Sequence, residues 1–130
     1  MHKDRFQLVI NHFSDTHLGF SQYPVTNPVG RNVREVDFSR AFTESVASIC
    51  GQDPDVVLHS GDFYDRPVVS TRLQKLGQKA LEKLTKRTDG TLRPVVVITG
   101  NHDMPRDPRE PAALELNEPL EGVRIVSKDY

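Results

Sequence analysis

Three short apolar runs, each ending in a cluster of turn-forming residues, constrain the fold of this chain more than any other feature of its sequence. The runs are Phe6–Phe13, Asp55–His59 and Pro94–Ile98. Each is rich in β-branched residues, which favour strands, and each leads directly into Ser, Gly, Asp or Asn. The stretch Val95–Ile98 is apolar throughout, which predicts a strand that is covered on both faces.

Two helical patterns lie between these predicted strands. One side of the first helix collects Phe38, Ala41, Phe42, Ser45, Val46 and Ile49, and Gly51 is placed to end it. The second pattern is the stripe Leu73, Leu76, Ala80 and Leu84, with a capping box predicted at Thr71 and Gln74. The order β-α-β-α-β predicts an α/β fold, a parallel sheet with flanking helices. Residues 19–32 and 104–122 are expected to be mostly loop, with one helical turn in the second segment, and Val123–Val126 is a candidate fourth strand.

Length and composition exclude several classes of protein. With 130 residues the chain amounts to one domain. No apolar run approaches the ~20 residues of a membrane span, so no membrane partner is expected. The 17 basic and 18 acidic residues nearly cancel, which gives no support for a general affinity for nucleic acid. The single cysteine, Cys50, excludes an internal disulfide, and the absence of a signal-peptide pattern predicts a cytoplasmic protein.

Side chains that can bind metals follow each of the three predicted strands. Ligands bind at the carboxyl ends of parallel strands, because the loops there converge on one crevice. The candidates are Asp15 and His17, Asp62 and Asp65, and Asn101, His102 and Asp103. Carboxylate, imidazole and amide oxygen ligands suit a divalent ion such as Mn²⁺, Mg²⁺, Fe²⁺ or Zn²⁺. Two such ions about 3.5–4 Å apart can clamp a phosphate and activate a water molecule.

Spacing gives these residues distinct tasks. Asp15 and His17 are two residues apart, so an extended segment would put both side chains on one side. Asp62 has two carboxylate oxygens and can bridge two ions, while Asn101 offers a neutral carbonyl oxygen. Ordinary turn chemistry explains each segment taken alone, but the occurrence of all three after successive strands favours a metal site. The remaining strand histidines, His12 and His59, are interpreted as packed or edge residues and not as ligands.

The motifs carry a resemblance to a known family. They look like the first three motifs of the calcineurin-like metallophosphoesterases: Asp15-x-His17, Gly61-Asp62-x-x-Asp65 and Gly100-Asn101-His102-Asp103. Within that superfamily, Phe-Ser-Asp-Thr-His-Leu-Gly at residues 13–19 is similar to the opening motif of the double-strand-break repair nucleases. These are the bacterial SbcD subunit and its meiotic-recombination-eleven relatives. The resemblance extends over residues 6–106 and includes residues 30–38 and 61–67.

The resemblance implies a fold and a set of roles. The family fold is a two-sheet sandwich, and residues 1–130 would be a partial domain that supplies its first half. Asp15, His17 and Asp62 would hold the first metal, and Asp62 with Asn101 the second. His102 matches the histidine that contacts the substrate phosphate and assists the leaving group. In the similar phosphoprotein phosphatases an aspartate orients this histidine, so the Asp65 carboxylate is predicted to lie within hydrogen-bond or close ion-pair range of the His102 ring.

The resemblance also shows which parts of the family pattern the sequence does not contain. The family completes its metal sites with a later histidine and a Gly-His-x-His segment, whereas this sequence has no histidine after His102. The first site would therefore lack one ligand and the second would lack two. We accordingly expect a chain that binds at most one Mn²⁺ near Asp15, His17 and Asp62, and that is a poor nuclease alone.

The implied activity is Mn²⁺-dependent hydrolysis of DNA phosphodiesters. The implied partners are DNA, a coiled-coil ATPase subunit of the SbcC type, and a second copy of the chain. Two alternatives stay open: a phosphomonoesterase, because Gly61–Arg66 also resembles a run of the phosphoprotein phosphatases, and a catalytically incomplete module that dimerises or binds a partner.

A basic stripe on the second helix also permits two interpretations. Lys75, Lys79, Lys83 and Lys86 recur at helical spacing opposite the leucines. They are either a solvated helix face or a stripe that contacts phosphates, and the second would make binding strongly salt-dependent.

Overall fold

The computed structural model describes residues 7–127 and has the predicted α/β architecture. Its elements are β1 (Ile10–Phe13), α1 (Val33–Gln52), β2 (Val56–His59), α2 (Thr71–Leu84), β3 (Val95–Ile98), a short 3-10 helix (Ala113–Asn117) and β4 (Val123–Val126). The four strands are all parallel and lie side by side in the order β1-β2-β3-β4. The fourth strand and the single helical turn are confirmed. The first strand starts at Ile10, and the part of its prediction at Phe6 lies outside the described residues.

Both main helices differ from their predictions at one end. Helix α1 runs through Gly51 to Gln52, and the C-cap residue Asp53, with a left-handed φ of 46°, terminates it. Helix α2 is capped by the Ser70 hydroxyl, which accepts a hydrogen bond from the Leu73 amide. The predicted capping box at Thr71 is therefore wrong by one residue. Gly51 does not stop its helix, because a glycine is tolerated there and the chain turns only at Asp53.

The sheet is covered by helices on one face. Parallel register places Val57 beside Val95 and His59 beside Val97, and all four side chains are buried. Phe42, Val46 and Ile49 of α1 and Leu81 and Leu84 of α2 belong to the same core cluster. Hydrophobic contact between one sheet face and two helices therefore forms the core of the described chain.

The other face of the sheet is partly exposed. Ile10 is 50% exposed, and Ile98 and Val126 are each 39% exposed. The prediction that Val95–Ile98 is covered on both faces is wrong for the described residues: only Val95 and Val97 are buried. The run is apolar because its alternate residues form a second apolar surface, which the described part of the chain leaves in contact with solvent.

A buried arginine, Arg93, lies at the C-terminal end of α2. The Arg93 side chain is fully buried, and its guanidinium donates to the carbonyls of Pro54 and Leu84 at 2.6 and 2.7 Å. It also lies 2.5 Å from the Asp53 carboxylate. Arg93 therefore joins the ends of both helices to the start of β3.

The lysines of the predicted basic stripe lie at the surface, as both interpretations of the stripe require. Lys75, Lys79 and Lys83 are exposed on α2, opposite the buried Leu73, Ala80 and Leu84. Lys86 is also exposed, but it lies beyond the end of α2 at Leu84, so the helix carries three of the four predicted lysines. No helix in residues 7–127 is long and apolar enough to cross a membrane.

Candidate metal centre

The loops after β1 and β2 are built on an unusual backbone. Asp15, His17 and Asp62 all have left-handed φ angles, of 54°, 43° and 54°. Such angles are uncommon outside glycine and cost of order 1 kcal/mol each. The sequence prediction that Asp15 and His17 share one side of an extended segment is therefore wrong in its cause, because a left-handed turn brings the two side chains together.

Hydrogen bonds between the two loops hold this backbone in place. The Asp15 amide donates to the Gly61 carbonyl, the His17 amide to that of Asp62, and the Leu18 amide to that of Phe63, each at 3.0 Å. Parallel pairing of β1 with β2 therefore continues past the ends of both strands. It delivers the two loops as one rigid unit at the carboxyl edge of the sheet.

The side chains of these three residues converge. Nε2 of His17 lies 3.7 Å from Oδ1 of Asp15 and 3.9 Å from Oδ2 of Asp62. One ligand atom from each residue lies within 4.8 Å of the other two. Two carboxylates and one imidazole at this separation form a donor set for a divalent ion.

The His17 ring is already oriented for metal binding. Its Nδ1 lies 3.1 Å from the Asp65 carboxylate and donates a hydrogen bond to it. In the neutral form of the ring, which is the form that binds metals, the lone pair is then on Nε2, which faces Asp15 and Asp62. Metal-binding histidines in proteins are usually held in this way, by a carboxylate on the other nitrogen. The residues present therefore fit a divalent metal ion.

The loop after β3 approaches Asp62 closely. The amide of His102 donates to Oδ1 of Asp62 at 2.9 Å. A side chain at Gly100 would place its Cβ 2.2 Å from the same oxygen, so only glycine fits there. Asn101 lies between Gly100 and His102 in the sequence. It is exposed and lines a cavity of about 670 Å³ together with Thr99 and Arg106.

His102 lies beside His17 and above Asp65. The two imidazoles meet edge to face with ring centroids 4.8 Å apart. Nδ1 of His102 donates to the Asp65 carbonyl at 2.8 Å and lies 3.7 Å from the Asp65 carboxylate. The hydrogen bond to that carbonyl, and then the nearby carboxylates of Asp62 and Asp65, raise the pKa of His102.

Asp65 lies within the predicted ion-pair range of His102, but it uses two different groups. Its backbone carbonyl orients His102, while its carboxylate makes its shorter contact with His17. The sequence motif predicted the proximity, whereas the division between carbonyl and carboxylate depends on the conformation of the loop.

Family comparison agrees with this geometry. The sequence pattern of the family described as calcineurin-like phosphoesterase matches residues 8–128. The chain belongs to the calcineurin-like phosphoesterases. Members of this family are hydrolases that depend on divalent metals, and the convergent group Asp15, His17 and Asp62 lies within the matched region.

Several curated relatives share one description, DNA double-strand break repair protein Mre11. The protein from Thermoplasma acidophilum is 37% identical over 102 residues, which are 78% of this chain and 24% of the relative. That from Methanocaldococcus jannaschii is 32% identical over 105 residues, 81% of this chain and 26% of the relative. That from Methanococcus maripaludis is 33% identical over 95 residues, 73% and 23% respectively. The chain thus spans about a quarter of the length of these relatives.

The sequence placed Asp103 among the metal-binding candidates, but its carboxylate is engaged in holding the loops together. This carboxylate is 1% exposed and accepts the amides of Tyr64 at 2.9 Å, Phe63 at 3.2 Å and Gly100 at 2.9 Å. Burial raises the pKa of this carboxyl. Asp103 therefore ties the β2 loop to the β3 loop, and its position directly after His102 was the available signal.

Proposed function

We propose that this chain is part of a metal-dependent phosphodiesterase that acts on DNA, a repair nuclease of the SbcD and Mre11 type. The observation that carries the proposal is the convergence of Asp15, His17 and Asp62, together with the hydrogen bond from Nδ1 of His17 to the Asp65 carboxylate. Similarity to proteins described as DNA double-strand break repair protein Mre11 supports DNA as the substrate class.

In this proposal Asp15, His17 and Asp62 hold the first metal ion, Asp62 and Asn101 contribute to the second, and Mn²⁺ is the ion bound. The metal ions, when bound, neutralise the phosphate and activate the attacking water. Asp62 fits its double role in part: Oδ2 faces His17, while Oδ1 accepts the His102 amide, which fixes the carboxylate in one orientation.

His102 is the proposed catalytic residue at the leaving group, with Asp65 as the residue that positions it. Nδ1 of His102 donates to the Asp65 carbonyl, so Nε2 is the nitrogen available to substrate. A raised pKa keeps more of the ring protonated near neutral pH. A protonated Nε2 can donate its proton to the departing oxygen, which a good general acid must do.

The proposal treats residues 1–130 as a partial domain whose remaining metal ligands come from other polypeptide. The exposed apolar face with Ile10, Ile98 and Val126 is the surface that a second sheet would cover. DNA, an SbcC-like ATPase subunit and a second copy of the chain are the proposed partners. The proposed location is the cytoplasm.

Nuclease activity tests the proposal directly. The assembled protein is this chain together with the polypeptide that supplies the remaining metal ligands. Labelled single-stranded DNA is incubated with it and Mn²⁺, and the nucleotides released are compared with those released by assemblies that carry Asp15→Asn or His102→Ala. We expect both variants to lose most activity, and His102→Ala to retain Mn²⁺ binding. The matched control is His12→Ala, since His12 is an exposed histidine of β1 outside the cluster. Full activity of His102→Ala would contradict the role given to this residue.

A phosphomonoesterase is the second candidate, favoured by the position of Arg66. Its side chain is 69% exposed, and Nε lies 4.0 Å from the Asp65 carboxylate at the edge of the site. An arginine in this position can bind a terminal phosphate with two hydrogen bonds. Faster turnover of para-nitrophenyl phosphate than of single-stranded DNA would support this candidate, and no turnover of either would support a non-catalytic module.

A further inference from the structure

Two residues outside the candidate metal ligands join the loops that carry them. Thr16 lies between Asp15 and His17 in the sequence, and its hydroxyl contacts the end of β2 and the loop that follows it. Oγ1 of Thr16 is 3.0 Å from Nε2 of His59 and 3.0 Å from the carbonyl of Phe63. His59 is the last residue of β2 and is 1% exposed.

The hydrogen bonds around His59 have one consistent direction. The Gly61 amide donates to Nδ1 of His59 at 3.3 Å, so this nitrogen carries a lone pair. The proton of the neutral ring is then on Nε2 and is donated to Thr16. The Thr16 hydroxyl in turn donates to the Phe63 carbonyl. Burial lowers the pKa of His59 to about 4, which keeps the ring neutral at physiological pH.

The same ring is held by aromatic neighbours. Phe13 meets it edge to face with centroids 4.7 Å apart, and Phe63 does so at 5.2 Å. Packing and hydrogen bonds together therefore fix the orientation of the His59 ring, with Nε2 directed at Thr16.

This link connects the positions in the two site loops where the backbone is left-handed. Thr16 is flanked by Asp15 and His17, which both have left-handed φ angles, and Phe63 follows Asp62, which has the third. Left-handed backbone at such residues persists only where the surroundings hold it. The link from His59 through Thr16 to Phe63 ties the first loop to the second within one residue of each strained position.

We infer that Thr16 and His59 are positioning residues, which hold the Asp15–His17 loop and the Asp62 loop at the separation that metal binding requires. The inference rests on the metal site of the proposed function. In this inference the hydrogen bonds of the Thr16 hydroxyl, and not the size of its side chain, keep the two loops at that separation.

Two substitutions at Thr16 separate hydrogen bonding from packing. Thr16→Val keeps the shape and removes the hydroxyl, whereas Thr16→Ser keeps the hydroxyl and removes a methyl group. We expect Thr16→Val to weaken Mn²⁺ binding about tenfold, the range seen for residues that orient metal ligands, and Thr16→Ser to bind nearly as the unaltered protein does. Calorimetric titration of the assembled protein gives both dissociation constants, and urea unfolding shows that each variant is folded. The opposite order would mean a packing role and would overturn the inference.

A second measurement does not depend on the variants. Nitrogen chemical shifts of the His59 ring in the unaltered, metal-free protein report which nitrogen carries the proton. We expect a neutral ring protonated on Nε2, and a ring protonated on Nδ1 would overturn the inference even if Thr16→Val fails to fold. Failure of the unaltered protein to bind Mn²⁺ would overturn the proposed function instead, so the two failures are distinguishable.

Discussion

The carboxylate of Asp65 lies 3.1 Å from Nδ1 of His17, while its backbone carbonyl lies 2.8 Å from Nδ1 of His102. One residue therefore orients two imidazoles by two separate groups. The His17 contact belongs to metal binding and the His102 contact to the proposed leaving-group chemistry. Substitution of the side chain should remove the contact with His17 and leave the hydrogen bond from His102 to the backbone carbonyl in place.

Asp65→Ala is expected to weaken Mn²⁺ binding about tenfold, because nothing then fixes the ring of His17 with its Nε2 lone pair toward Asp15 and Asp62. Asp65→Asn should bind more tightly than Asp65→Ala, since the amide oxygen can still accept from His17. Calorimetric titration with Mn²⁺ measures both. Asp107→Ala is the control, because Asp107 is a loop carboxylate that pairs with Arg109. Equal affinities of Asp65→Ala and the unaltered protein would contradict the orienting role.

The order of elements was predictable because it depends on local pattern. Apolar runs such as Val95–Ile98 and the leucine stripe of α2 indicate strands and helices locally, and the alternation of strands with helices predicts a parallel sheet. Helix ends were less predictable. Asp53 ends α1 while also pairing with Arg93, 40 residues away, and no local pattern contains that contact.

The site was predictable in composition but not in construction. The motifs identified Asp15, His17 and Asp62, whose side chains the structure brings together. The left-handed backbone at all three and the link from Thr16 to His59 were not predictable, because they depend on hydrogen bonds between segments more than 40 residues apart. His59 was interpreted as a packed histidine, and its burial agrees with that, but its hydrogen bonds give it a further task.

Gly100→Ala is expected to destabilise the protein by about 2 kcal/mol and to displace Asp62. The added Cβ would lie 2.2 Å from Oδ1 and 2.3 Å from the amide nitrogen of Asp62, so the loop must move, and overpacking of this kind costs about 1–3 kcal/mol. Urea unfolding gives the free energy, and Mn²⁺ titration reports the displacement. Gly51→Ala is a matched control, since nothing lies within 4 Å of its Cβ position in α1. That control should gain about 0.5–1 kcal/mol from helix propensity. Equal effects of the two substitutions would show that the loop tolerates a side chain at Gly100.

Arg93→Met is expected to cost about 3 kcal/mol of unfolding free energy. The substitution leaves the carbonyls of Pro54 and Leu84 without the donors that they have now, and leaving buried acceptors unpaired costs about 1–3 kcal/mol each. Asp53, whose side chain is 31% exposed, keeps its hydrogen bond from the Thr88 hydroxyl and contributes little to the loss. Arg109→Met is the control, because Arg109 pairs with Asp107 at 2.8 Å on a side chain that is 87% exposed. Exposed pairs contribute between 0 and about 1 kcal/mol, so a loss at Arg93 no larger than at Arg109 would contradict the structural role of Arg93.

Stability should fall in weak acid because of His59. Its pKa is about 4 in the folded protein and near 6.5 in the unfolded chain, so only the unfolded chain takes up the proton between these values. The stabilising contribution of His59 is complete above pH 6.5 and is lost as pH falls toward 4. About 3 kcal/mol of unfolding free energy is lost in total, and about 2 kcal/mol of it is already lost at pH 5. Burial is the main cause. Asp15 and Asp62 oppose it by favouring the charged ring, while His12 and His17 add to it.

Urea unfolding of the unaltered protein and of His59→Phe, at pH 7.5 and about pH 5, isolates this contribution. Phenylalanine keeps an aromatic ring between Phe13 and Phe63 and cannot titrate, so we expect the variant to be less stable at pH 7.5 but to lose about 2 kcal/mol less on acidification. His12→Ala is the control, since His12 is exposed on the opposite face of the sheet and hydrogen-bonds Ser60 at 2.8 Å. It should keep most of the acid sensitivity. Parallel losses in the unaltered protein and His59→Phe would mean that groups other than His59 account for the acid sensitivity and that the His59 ring is not held neutral in the folded state.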